Sequence, residues 1–167
     1  LDDTLYPFSI RTRLGLVKVG VMVCEDMWYK DYVFNPAEAL VRHGAQIIFN
    51  ISASPWGWQK NRKRHQVVKE LLKECNVPFF YINNTGVQNT GNSVIVFDGS
   101  STAYNKEGDI IFEVPPYEDG SHDFTFREGL KAAELKTSCD AQELYNAMVC
   151  ATKSMVPQGA KVLVGLS

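Results

Sequence analysis

Apolar residues come along this chain in short blocks broken by polar turns, and the period inside each block predicts its element. Leu16-Val17-Lys18-Val19-Gly20-Val21-Met22-Val23 is a nearly unbroken, β-branched run, which predicts a buried strand over 16–23. Residues 46–50 and 77–82 have the same character and predict two more strands. Between these blocks the period lengthens. Val67, Val68, Leu71, Leu72 and Cys75 recur at i, i+1, i+4, i+5 and i+8, one face of a helix over roughly 61–74. Asn35-Pro36 predicts a helix over 37–43, with Asn35 as N-cap, proline in the first turn and Gly44 just past the end.

The pattern changes after residue 82. Residues 83–92 read as a long polar loop. Short strands follow at 93–97, 101–104 and 109–114, joined by hairpin turns at Asp98-Gly99 and Lys106-Glu107-Gly108. Strand–helix–strand–helix–strand followed by a meander predicts an α/β fold, a mixed sheet with helices packed on one face. Residues 1–15, with Asp2-Asp3 and Pro7 as breakers, read as extended or loop. Beyond Pro115-Pro116 the aliphatic pattern fades, leaving one short edge strand at 123–126 and a linker at 127–138. Leu144, Met148, Ala151 and Met155 then recur at helical spacing, so 139–156 reads as a helix capped by Ser138 or Asp140 and stopped before Pro157. An apolar stretch at 161–166 predicts a final strand. Residues 1–126, 127–138 and 139–167 therefore read as one unit, a linker and the opening helix and strand of a second α/β domain.

Composition narrows the class. With 167 residues, 45% hydrophobic and 22% charged, the chain suits a globular domain, or a domain plus a fragment. A net charge of −2 gives no pull toward nucleic acid or an anionic membrane, and the apolar runs are too short to span a bilayer. Cys24, Cys75, Cys139 and Cys150 lack the paired close spacing of a zinc site or a small disulfide scaffold, so a reducing, cytoplasmic setting is expected. The chain opens on Leu1 and closes on an apolar strand running into Gly165-Leu166-Ser167, which reads as a piece of something longer.

Candidate chemistry begins at Cys24, where the first strand stops abruptly at a thiol followed by Glu25-Asp26. A free cysteine in such a place is most often a small apolar filler. The Cys-Glu-Asp-x-Trp context at a strand's C-terminal edge points instead to a nucleophile. Two adjacent carboxylates would raise a thiol's pKa, so a working site needs a nearby cation. Loops beginning at Cys24, at Asn50 and at Asn83 all follow strand ends and would converge on one sheet edge. Ser54-Pro55 and Asn83-Asn84, each taken singly, read as turn chemistry. Lys60, Arg62, Lys63, Arg64 and His65 crowd a helix start, where positive charge opposes the dipole and a substrate carboxylate would relieve it. Arg62 to His65 read as a solvated basic face; for Lys60 the two readings balance. His43 reads as a helix-end residue and His122 as a loop residue with no evident partner. Trp56 and Trp58 either line a pocket or cover a sheet edge, and Met148 and Met155 belong to a core or interface.

Gly20-Val21-Met22-Val23-Cys24-Glu25-Asp26-Met27-Trp28, then Asn50-Ile51-Ser52-Ala53-Ser54-Pro55, then the run from Gly91 to Ser101 resemble the nitrilase, or carbon–nitrogen hydrolase, superfamily. The Cys-Glu-Asp-x-Trp and Phe-Asp-Gly-x-Ser forms are most similar to the glutaminase domains of glutamine-dependent NAD synthetases. Lys161-Val162-Leu163-Val164-Gly165-Leu166-Ser167 resembles the first strand of their synthetase domain. The resemblance implies an αββα sandwich and a Glu–Lys–Cys triad with Cys24 as nucleophile. The backbone N–H of Glu25 would help hold the oxyanion, and Ser54 and Lys60 would contact glutamine. No residue here matches the triad's Glu and Lys, which lie upstream in the family; the isolated chain is thus expected to be inactive. The parent would take glutamine, ATP with Mg and nicotinic acid adenine dinucleotide, and would form homo-oligomers. No cofactor and no metal are expected within residues 1–167. A stand-alone carbon–nitrogen hydrolase and a non-catalytic interaction module are the competing readings.

Overall fold

The computed structural model describes residues 5–13, 15–127, 129–134 and 139–165. Its centre is a six-stranded mixed sheet in the order β1-β2-β3-β4-β7-β8. Strands β2 (Gly15–Val23), β3 (Ile47–Ser52) and β4 (Phe79–Asn83) run parallel. Strands β1 (Phe8–Thr12), β7 (Thr102–Tyr104) and β8 (Ile110–Glu113) pair antiparallel at the two sides. The parallel strands are linked by helices α1 (Pro36–Arg42) and α2 (Lys60–Cys75), which pack together. The fold class expected from the hydrophobic pattern is the one observed.

Local chemistry explains the elements. The Asn35 side chain accepts hydrogen bonds from the N–H groups of Ala37 (3.1 Å) and Glu38 (3.4 Å), and Pro36 opens the helix. His43 caps its C-terminus, with Nδ1 2.9 Å from the Leu5 carbonyl. A Cβ at Gly20 would lie 3.1–3.3 Å from Leu40 and Ala45, so the absence of a side chain lets α1 lie close on β2. Helix α2 ends at Asn76, whose left-handed φ of 48° closes the last turn. The core lies between the helices and one sheet face: Met22, Leu40, Ile48, Val68, Leu71, Leu72, Phe79, Tyr81 and Tyr104 are all buried there.

Several expectations need correction. Within the stretch read as extended or loop, Phe8–Thr12 is indeed extended, but it is a paired strand, β1, the hairpin partner of β2, with Phe8 and Ile10 exposed at the sheet edge. The stretch at 83–92 is not all loop: β5 (Thr85–Asn89) pairs antiparallel with β6 (Val94–Asp98) in a separate two-stranded sheet. The meander is therefore wrong at its first turn. Gly99 and Ser100, with φ of 69° and 48°, turn the chain out of that sheet into β7 of the large one, instead of closing a hairpin. The turn at Lys106-Glu107-Gly108 does join a hairpin, β7 to β8.

Residues 123–126 form no strand; they act as a strap whose Phe124 and Phe126 pack on Phe80, with Phe124 also stacked on Phe112. Helix α3 (Asp140–Met155) forms where the spacing predicts it. Its N-cap is Cys139, Asp140 is its first residue rather than its cap, and Ser138 lies outside the described residues. Residues 161–165 are exposed and irregular, with no strand paired to them among the described residues; Leu166 and Ser167 lie outside the described residues.

Candidate active site

Cys24 sits at the C-terminal end of β2 with φ 44°, in the left-handed region that side chains other than glycine's seldom occupy. The conformation is over-determined by its neighbours. The Asp26 carboxylate accepts the Val23 N–H at 2.8 Å, and the Trp28 N–H donates to the Glu25 carbonyl at 2.8 Å. The Asn50 side-chain amide reaches the Cys24 carbonyl at 3.5 Å, and Met27 anchors the turn in the core. The result is a 3-10 turn over Cys24–Met27 with the thiol on its first residue, partly exposed. The N–H groups of a first helical turn have no intrahelical acceptor, which suits Glu25 N–H to an oxyanion. The Glu25 side chain points elsewhere, accepting from the Tyr32 hydroxyl at 3.2 Å.

The segment after β3 is held from beneath. Asn83 grips Ser54 at both ends: its carbonyl oxygen accepts the Ser54 N–H (2.8 Å) and its amide donates to the Ser54 carbonyl (3.1 Å). That amide also lies 3.4 Å from Asp98, which pairs with Arg64 at 3.6 Å. Ser54 and Asp98 are buried and Arg64 is completely so, stacked 4.3 Å from the centre of the Tyr81 ring. Burial pushes the Asp98 carboxyl up, with Arg64 opposing. Burial likewise drives the Tyr81 hydroxyl to about 12. Arg64 donates to Asn61 at 2.7 Å, while its Nε and Nη2 find no protein acceptor among the described residues.

Lys60 lies at the first turn of α2 with its ammonium 3.2 Å from the Pro55 carbonyl. Burial lowers its pKa, and Arg64 adds to that, while Asp98, Cys24 and Glu25 work in the opposite direction. A cation therefore stands within electrostatic reach of the thiol and its neighbouring acid. The four residues expected from the sequence thus lie on two adjoining segments: Cys24 and Glu25 in the turn after β2, and Ser54 and Lys60 between the end of β3 and the first turn of α2.

The solvated basic face was wrong for Arg64. Its position is legible in hindsight: Arg64, Val68, Leu71, Leu72 and Cys75 fall at i, i+4, i+7, i+8 and i+11, so Arg64 belongs to the apolar stripe. His65 is also turned inward, 2.7 Å from the Tyr104 hydroxyl and 3.3 Å from Glu113. Arg62 is exposed but paired with Asp140. Asp98 reads from the sequence as a hairpin-turn residue, and the structure instead buries it beside Arg64. Asn83 read as turn chemistry, although its side chain is what fastens Ser54 to β4. Trp56 is half-buried against β6 and α3, whereas Trp58 is exposed. His122 lines a cavity of about 420 Å³ on the other side of the sheet, beside Phe80 and Phe112, away from Cys24. Met148 and Met155 are exposed on α3. No group of three or more metal-ligating side chains occurs among the described residues, and none of their helices is long and apolar enough to cross a membrane.

The carbon-nitrogen hydrolase profile matches residues 3–125. The chain belongs to that family. Among characterised proteins it is similar to glutamine-dependent NAD(+) synthetase of Synechocystis sp., at 34% identity over 166 residues, covering 90% of this chain and 29% of that protein. The synthetase of Rhodobacter capsulatus is 30% identical over 169 residues, covering 96% of this chain and 29% of its own. The chain thus spans under a third of the length of these relatives. Among solved structures, glutamine-dependent NAD+ synthetase from Acinetobacter baumannii in complex with ADP superposes with a TM-score of 0.75 at 24% identity, over 89% of this chain and 27% of that one. A carbon-nitrogen hydrolase from Helicobacter pylori superposes with a TM-score of 0.57 at 23% identity, over 69% and 41%. These two likenesses show the shared fold.

Proposed function

We propose that this chain is part of the glutamine-hydrolysing unit of a glutamine-dependent NAD synthetase. Cys24 Sγ attacks the side-chain amide carbon of glutamine, forming a thioester as the C–N bond breaks, and the nitrogen leaves as ammonia after taking a proton. Water then cleaves the thioester to glutamate and restores the thiol. Glu25 N–H holds the oxyanion, and Ser54 and Lys60 hold the glutamine. The proton-transferring Glu and the partner Lys come from the parent chain outside these residues. The ammonia serves ATP-dependent conversion of nicotinic acid adenine dinucleotide to NAD in a following domain, which begins near residue 139 after a linker at 127–138. ATP and Mg belong to that domain. The parent is a cytoplasmic homo-oligomer.

The observation that carries this reading is the strained turn that presents Cys24 beside a loop bearing Ser54 and the partly buried cation Lys60. Similarity to NAD synthetases that extends past residue 125, where the hydrolase match stops, supports it over a stand-alone amidase. The test uses the full-length parent enzyme carrying Cys24→Ala. NAD formation with glutamine as nitrogen donor should be abolished, while NAD formation with free ammonium should be retained within about twofold. Glutamine-driven synthesis that survives the substitution would overturn the assignment.

A further inference from the structure

The start of α2 carries an unusual electrostatic load. Lys60, Arg62 and Lys63 stand in its first turn, Gln59 at the N-cap is left-handed (φ 55°), and no side chain caps the helix. Positive charge at a helix N-terminus is unfavourable. The compensation comes from far along the chain. Asp140, the first residue of α3, accepts a hydrogen bond from the Gln59 amide at 2.6 Å through one carboxylate oxygen and from Arg62 at 2.7 Å through the other. These two donors hold the Asp140 carboxyl below the usual range.

The same helix closes over the outer side of the 54–60 segment. Leu144, Ala147, Met148 and Ala151 form one wall of a groove whose opposite wall includes Pro55 and Trp56. Trp56 is itself tied to β6, its N–H donating to the Val96 carbonyl at 2.7 Å. So the segment with Ser54 at one end and Lys60 at the other is gripped from inside by Asn83, which Asp98 and Arg64 back in turn, and from outside by α3. The inner grip fixes Ser54. Only the outer one reaches Gln59, the residue that sets the direction in which Lys60 leaves the loop.

We propose that α3 holds the 54–60 segment in its glutamine-binding shape, with Asp140 as the positioning residue that acts through Gln59 and Arg62 on Lys60. The inference rests on the glutamine-site reading above. It deepens that reading by making the site depend on an element beyond the hydrolase body.

The experiment uses the full-length parent enzyme with Asp140→Ala, Asp140→Glu and Arg62→Ala. Asp140→Ala and Arg62→Ala should raise the KM for glutamine about 5- to 10-fold, with ammonium-driven NAD formation unchanged within about twofold. Asp140→Glu, which keeps the carboxylate, should stay near the wild-type KM. A glutamine KM unmoved by Asp140→Ala, or an equal loss with ammonium, would overturn the proposal. Amide hydrogen exchange supplies a readout independent of activity: exchange over 56–62 should quicken in Asp140→Ala, and unchanged exchange would also overturn it. Wild-type enzyme that does not use glutamine would sink the functional reading instead, leaving the exchange result to decide the grip itself.

Discussion

The two faces of the six-stranded sheet are built from similar residues and live in different surroundings. On β3, Ile48 is 0% exposed beneath the helices while Ile51, on the opposite face of the same strand, is 52% exposed. The register aligns the rest. Met22, Asn50, Tyr81 and Thr102 share the helix-covered face; Val23, Ile51 and Ile82 line up on the other, and all three are exposed. Toward β4 and β8 the second face gains cover from Phe124 and Phe126 of the strap. The difference teaches that apolar alternation records where a side chain is suited to be buried, not what buries it. It also places the polar machinery: Arg64, Asp98 and Ser54, together with Asn83, are gathered at the covered side, where the helices shield their interactions from water.

The contrast can be broken most severely at the buried ion pair. Arg64→Met leaves Asp98 buried without its guanidinium, and should cost roughly 3–5 kcal/mol in urea unfolding. Adding Asp98→Asn should recover part of that loss, and a double variant no better than the single one would deny the pairing. Next comes a matched pair on one strand. Ile48→Ala should destabilise by about 2–5 kcal/mol through cavity formation. Ile51→Ala in this chain should stay within about 1 kcal/mol. Equal losses would mean that the second face is covered too.

A smaller effect is expected at the cap of the covering helix. Asn35→Ala removes the acceptor for two backbone N–H groups and should cost about 1 kcal/mol, read as a lowered urea midpoint with an unchanged slope. The smallest concerns Glu113, which accepts from Asn61 at 3.0 Å and faces His65. Burial acts to raise its pKa, but the His65 and Asn61 hydrogen bonds outweigh this and hold it below the ordinary value of 4.5. Its contribution is therefore present above that value and lost as the pH falls through the depressed one. Glu113→Gln should flatten the acid limb of the stability profile, and an identical limb would remove Glu113 from it.

Much of this was legible in the chain. The β2 run, the Asn35-Pro36 start of α1, the apolar stripe of α2 and the spacing of α3 rest on local period and capping, which need no knowledge of distant partners. Cys24 stood out because a thiol and two acids end a buried strand. Less was legible where pairing is non-local. Val94 to Asp98 look like the start of a meander, yet they pair with Thr85–Asn89, a polar stretch with little strand signature. Phe124 and Phe126 alternate as in a strand, but they find aromatic partners on the sheet face and pair with no strand among the described residues. Residues 161–165 have a strand's composition and no partner among the described residues.

The sequence by itself determined the parallel strands, their two helices, the α/β class and the place of the candidate nucleophile, because each follows from periodicity and chain-local hydrogen bonding. Tertiary structure alone decided which strands share a sheet, that Arg64 is a buried ion-pair partner and not a surface charge, and that Asp140 meets Gln59 and Arg62 across some eighty residues of chain. Those outcomes depend on which groups lose water together. A buried carboxylate or guanidinium is tolerated only where another part of the chain arrives to pair with it.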